Sequence, residues 1–199
     1  MTDAAPAIDP ARTALLVMDY QQAIVAMIDD ADTLVARAAQ AIDLVRSRGG
    51  HVGYVRVAFT EADLQDIAPT SSMGARIAAR PQAFMDDSPT TQIDERVAPR
   101  DGDIIVRKVR VGAFSTTDLA QQLADRGVDT LILAGISTSG VVLSTVRDGA
   151  DRDYALHVLS DATADPDASV HACLTEKVFP RQANVITVAE LERLLAAGA

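Results

Sequence analysis

Two hydrophobic patterns take turns along the chain. Short unbroken apolar runs alternate with longer stretches in which apolar residues recur every three or four positions. Thr13 to Met18 (TALLVM) is the first run, stopped by Asp19, and it predicts a strand covered on both faces. Ala31 to Arg48 then places Leu34, Val35, Ala38, Ile42 and Val45 on one helical face, with Gly49-Gly50 as the stop. Further strands are predicted over His51 to Phe59, Asp103 to Lys108, Thr130 to Ala134, Ala155 to Leu159 (ending at Ser160-Asp161) and Asn184 to Val188. Helices are predicted over Asp118 to Arg126, closed by Gly127, then Val141 to Asp151, Val170 to Lys177 and Ala189 to Ala197. Glu61 to Asp101 breaks the alternation. It is polar and carries Pro69, Pro81, Pro89 and Pro99, which reads as a binding loop or lid with room for short helices.

Strands alternating with helices predict an α/β fold, a mainly parallel sheet with helices on both faces, and the length fits one domain over residues 1–199. Open parallel sheets bind ligands beyond the C-terminal ends of their strands. The residues there are Asp19, Lys108, Gly135 to Val141 and Asp161.

Composition narrows the function. Hydrophobic residues make up 48% and charged residues 23% of the chain, enough for a sizeable core. A net charge of −10 argues against a nucleic-acid or anionic-membrane surface, which needs clustered Lys and Arg. The lone Cys173 forbids an internal disulfide and is consistent with a reducing compartment. Met1 to Pro6 lacks a basic start and a long apolar core, so no signal peptide is expected. With no apolar run of membrane-spanning length either, the expected location is the cytoplasm.

Asp19 at an apolar strand end is either a desolvated functional carboxylate or a cap for the following helix. Lys108 opens onto the same sheet edge, where an ammonium can hold an Asp ionised or stabilise negative charge on a substrate. Period alone does not choose among Arg107, Lys108 and Arg110, and a solvated Lys is the alternative. Gly135 starts the most distinctive segment, in which Ile136, Ser137, Thr138, Ser139 and Gly140 lead into a helix beginning at Val141. Such a strand, turn and helix start either binds an oxyanion or carboxylate or simply caps the helix through Thr138 or Ser139. Arg110 and Arg147 are candidate clamps for an acidic substrate, with solvated arginine the alternative for Arg147. His51, His157 and His171 lack metal-ligand spacing, Cys173 reads as a small buried helix residue, and phosphate-binding glycine loops are absent, so no metal and no cofactor are expected.

Four ordered segments resemble the isochorismatase-like hydrolase superfamily, which includes nicotinamidases and related cysteine hydrolases. They are Leu15 to Gln22 (LLVMDYQQ), Lys108 with Gly112-Ala113-Phe114 and Thr117-Asp118-Leu119, Gly135 to Val142 (GISTSGVV), and Asp153 to Ala162 (DYALHVLSDA). The resemblance implies a three-layer, Rossmann-like α/β/α sandwich and a small-molecule substrate. It also implies a homodimer or larger homo-oligomer, with no nucleic-acid or membrane partner. Carried over, Asp19 is the acid/base and Lys108 its partner; Gln21, Phe114 and Ile136 to Val141 line the substrate. A cis peptide is implied at Ile136–Ser137, and the family's nucleophilic cysteine falls on Val141, or with a one-residue slip on Gly140, neither of which can be a nucleophile. The Asp and His metal set of nicotinamidases is missing after Val55. Isochorismatases also lack the cysteine. They cleave a vinyl ether with the Asp as acid and water completing hydrolysis, and usually have glycine where Val141 stands. The expected function is therefore non-covalent acid/base hydrolysis. The alternatives are a binding protein that lost catalysis, or an amidase whose nucleophile has moved to Ser139, Ser144 or Cys173.

Overall fold

A computed structural model describes residues 7–197. Met1 to Pro6, expected to carry no signal peptide, lie outside the described residues. Six strands form one sheet: β1 (Thr13–Met18), β2 (His51–Val57), β3 (Ile104–Lys108), β4 (Thr130–Ile136), β5 (Ala155–Ala164) and β6 (Asn184–Ile186). Their order is β3-β2-β1-β4-β5-β6 and every pairing is parallel. The helices are α1 (Gln22–Val25), α2 (Ala31–Ser47), α3 (Glu61–Gln65), α4 (Ser72–Ala78), α5 (Leu119–Ala124), α6 (Leu143–Asp151), α7 (Ala168–Cys173) and α8 (Val188–Ala197).

Side-chain alternation along the strands builds the three layers. Leu15 and Val17 of β1 face one core with Val35, Ala38, Ile42 and Val45 of α2 and Leu191 and Leu195 of α8. Ala14, Leu16 and Met18 face the other, with Leu119 and Leu123 of α5 and Val146 of α6. Both faces of β1 are buried, which is why its sequence is an unbroken apolar run.

Strand order reverses between β1 and β4, and the C-terminal ends of these two strands mark the switch point at which α/β sheets bind ligands. The expected element set is present, with shifted boundaries. β2 stops at Val57, and Phe59 makes only an isolated bridge to Met85. β4 runs two residues further than expected, to Ile136. β5 continues past Asp161 to Ala164 because its register against β4 shifts between Leu133 and Gly135, a bulge that hydrophobic spacing does not reveal. The 61–101 segment holds α3, α4 and three short 3-10 turns, and packs Ile77, Phe84 and Leu64 against Val57, Phe59, Ile24 and Val109.

Candidate active site

Asp19 follows the last residue of β1 and turns the chain with a φ of 58°, in the left-handed region that few non-glycine residues adopt. Its N–H donates to Val55 O at 2.8 Å, which fixes the turn on the neighbouring strand. The side chain is buried. Oδ2 accepts from Lys108 Nζ at 2.8 Å, and Oδ1 has no partner among the described residues. Asp19 is therefore not a helix cap. Burial pushes the carboxyl's pKa up, against the opposing pull of the Lys108 charge.

Lys108 ends β3, two strands away, and reaches across β2 to the acid. It also donates to Val111 O at 2.9 Å and Arg110 O at 3.3 Å. The ambiguity among neighbouring basic residues is resolved by strand alternation. Lys108 is 2% exposed, whereas Arg107 turns the other way to Asp63 and Ala58 O. Arg110 donates to Val109 O at 2.7 Å, and the exposed Arg147 pairs with Gln182.

The turn after β4 begins at the C-terminal end of the strand beside β1. The peptide bond Ile136–Ser137 is cis, and Thr138–Val142 is one π-type turn that runs directly into α6. Gly135 lets the turn close. A Cβ there would lie 2.8 Å from Val142 Cγ2 and 3.3 Å from Met18 O, and Met18 is its register partner on β1. Asp19 is thereby one residue past the strand position facing Gly135. Val141 is buried with Met18, Ala113 and Phe114 in the core.

Neither Thr138 nor Ser139 caps the helix. The residue before the turn is Ser137, whose side chain makes no capping bond. Thr138 Oγ1 lies 2.8 Å from His171 Nδ1, and Ser139 gives its N–H and hydroxyl to Asp165 Oδ2 at 2.8 and 2.6 Å. Asp165 escaped notice in the sequence and His171 stood out only as a histidine without metal-ligand spacing, because their spacing becomes meaningful only once the segment after β5 folds against the turn.

Two expectations, on Gln21 and Cys173, are corrected. Gln21 cannot offer its amide to a substrate, because Nε2 donates to Val57 O at 2.9 Å and Thr91 O at 2.7 Å while Oε1 accepts from Val57 N at 2.8 Å. It pins the Asp19 loop to β2 and to the 61–101 segment instead. Phe114 stacks on Tyr154 at 5.9 Å with Arg152 over its ring at 4.9 Å, and it shares a buried core with Met18 and Val141. Cys173 is exposed rather than buried, because it lies on the outer side of α7. Asp161, at the strand end, accepts from Val188 N at 2.9 Å and thereby holds the start of α8. Among the described residues no three His, Cys, Asp or Glu side chains are grouped to hold a metal ion, and no helix is long and apolar enough to cross a membrane.

Comparison with known proteins sets this geometry in a family. The isochorismatase domain matches residues 13–190. The chain is 31% identical over 190 residues to the ureidoacrylate amidohydrolase RutB of Methylobacterium radiotolerans, covering 84% of this chain and 74% of the relative. It is 30% identical over 187 residues to the "Probable isochorismatase" of Pseudomonas chlororaphis, covering 92% and 86%. The crystal structure of a cysteine hydrolase from Pseudomonas syringae pv. phaseolicola superposes with a TM-score of 0.85 at 26% identity, covering 100% of both chains.

Proposed function

Because the chain belongs to the isochorismatase family, we propose that it is a small-molecule hydrolase working by acid/base chemistry on Asp19 and Lys108, with no covalent intermediate. The reaction class is vinyl ether cleavage of the isochorismatase type. One observation carries this reading. The buried Asp19–Lys108 pair is intact and Oδ1 has no partner among the described residues, while Val141, on which the resemblance places the family's cysteine, is buried and has no nucleophilic atom. A thioester route lacks its thiol there. An acid route requires only a carboxyl that holds its proton near neutral pH, and burial drives Asp19 that way.

In such a reaction Asp19 gives its proton to the terminal carbon of the enol ether. The alkene becomes an oxocarbenium ion, and water adds to the cationic carbon. Loss of a proton from that water back to Asp19 leaves a hemiketal, which collapses to a ketone and the departing alcohol. Lys108 stays charged throughout. Its ammonium stabilises the aspartate formed at the first step and holds it for reprotonation.

The test is turnover of isochorismate, set beside ureidoacrylate and other simple amides, by the wild type and Asp19→Asn. The expected result is isochorismate cleavage that falls about 10²–10⁴-fold in Asp19→Asn, with no acyl adduct by intact mass. Cleavage unaffected by the substitution would overturn the reading. So would binding without turnover, which marks a binding protein, or an adduct on Ser139, Ser144 or Cys173, which marks a relocated amidase.

A further inference from the structure

The turn after β4 is held from behind by two side chains for which acid/base hydrolysis has no direct use. Asp19 and Lys108 approach it from the β1 and β3 side of the sheet, whereas Asp165 and His171 come from the segment following β5, on the other side of β4. Asp165 takes both the N–H and the hydroxyl of Ser139 with one oxygen and the N–H of Asp167 with the other. His171 takes the next hydroxyl back, that of Thr138, through Nδ1 at 2.8 Å.

Thr138 is 0% exposed, and His171 is the hydroxyl's hydrogen-bond partner among the described residues. A buried hydroxyl hydrogen without an acceptor costs more than an unused lone pair, so the Thr138 hydroxyl donates and Nδ1 accepts. That requires a neutral ring with its proton on Nε2. We propose that His171, in this one neutral tautomer, is a positioning residue for the turn, working with Asp165 to hold Ser137 to Val141 against Asp19. Protonation of the ring makes Nδ1 a donor and strips the Thr138 hydroxyl of its acceptor, so the clamp opens in acid. Burial lowers the His171 pKa, and the Asp165 carboxylate, the charged group acting on it, raises it. Asp167, on the same helix, is engaged with Ser169 and Val170 at the start of α7.

The proposal rests on the reading of this turn as a wall of the Asp19 site, but its test needs no substrate. Nitrogen-15 NMR of the imidazoles is expected to show His171 as the Nε2–H tautomer at neutral pH. Hydrogen exchange, expressed as protection factors, is then read for the peptide spanning residues 137–143. His171→Gln places its amide where Nε2 was and is expected to lose about fivefold or more of that protection, the equivalent of one hydrogen bond. His171→Asn can present an oxygen near the Nδ1 position, and is expected to retain the protection and to lose its dependence on acid. Thr138→Val, which keeps shape and removes the hydroxyl, is expected to raise the His171 titration midpoint by up to about one unit. An Nδ1–H tautomer, wild-type protection in His171→Gln, or an unmoved midpoint in Thr138→Val would each overturn the proposal. Loss of isochorismate turnover in Asp19→Asn alongside any of these would leave the proposed chemistry standing and remove only the clamp.

Discussion

Lys108 Nζ lies 2.8 Å from Asp19 Oδ2, and its other hydrogens go to the carbonyls of Val111 and Arg110 at 2.9 and 3.3 Å. The ammonium is saturated by protein. It is thus a fixed positive charge for the acid and not a free donor for a substrate carboxylate. Asp19 is the complement, a carboxyl with one oxygen engaged and the other buried without a partner among the described residues.

Lys108→Met removes that charge and leaves the acid buried. The cost depends on pH, since Asp19 can answer by keeping its proton. A carboxyl whose folded pKa is raised contributes stability that is full below its unfolded value, about 3.9, and lost as pH rises through the folded value. Losing Lys108 lifts the folded value further, so the deficit grows as pH rises. Urea unfolding is expected to show a loss of about 3–5 kcal/mol near neutral pH and a smaller one near pH 5. Equal losses at both would mean that Lys108 supplies packing and not charge.

Gly135→Ala tests how tightly the turn is seated. The added methyl would meet Val142 Cγ2 at 2.8 Å and the Met18 backbone oxygen at 3.3 Å, and the second cannot rotate away. The expected cost is about 1–3 kcal/mol, read by thermal or urea unfolding. A neutral result would mean that β1 and β4 can separate at their C-terminal ends.

Much of this was legible in the chain. Unbroken apolar runs marked the parallel strands, and the acid after TALLVM stood out because an aspartate ending such a run must be compensated. Lys108 was separable from Arg107 and Arg110 only by resemblance, because strand phase is ambiguous at a strand's last residue. The aim of Gln21 and of Phe114 was hidden, because each makes its contacts with segments far away in sequence, Val57 and Thr91 for one and Tyr154 for the other. The β5 bulge and the His171–Thr138 bond were hidden for the same reason.

His157 should shape the acid limb of stability. It is 3% exposed within β5, its Nδ1 has no partner among the described residues, and burial lowers its pKa. The unfolded chain therefore takes up the proton first. Stability is full above the unfolded value, about 6.5, and is lost as pH falls from there through the lower folded value. His171 shares this window, so His157→Gln is expected to flatten the pH dependence only partly between about pH 7 and pH 5. An unchanged slope in urea unfolding would assign the whole effect to His171.

Val141→Cys asks whether the turn still presents position 141 to Asp19. The substitution removes about one methyl from a site 2% exposed and is expected to cost about 1 kcal/mol. It belongs in a Cys173→Ser background, since Cys173 is exposed and would itself react. A thiol beside the Asp19–Lys108 pair can pass its proton to the carboxylate and become the stronger nucleophile. Labelling by iodoacetamide, followed by intact mass, is expected at the new thiol and about tenfold slower when Asp19→Asn is added. Labelling indifferent to Asp19 would mean that the carboxylate does not reach the turn. No labelling at all would mean that the packing around the buried position 141 excludes even a small amide.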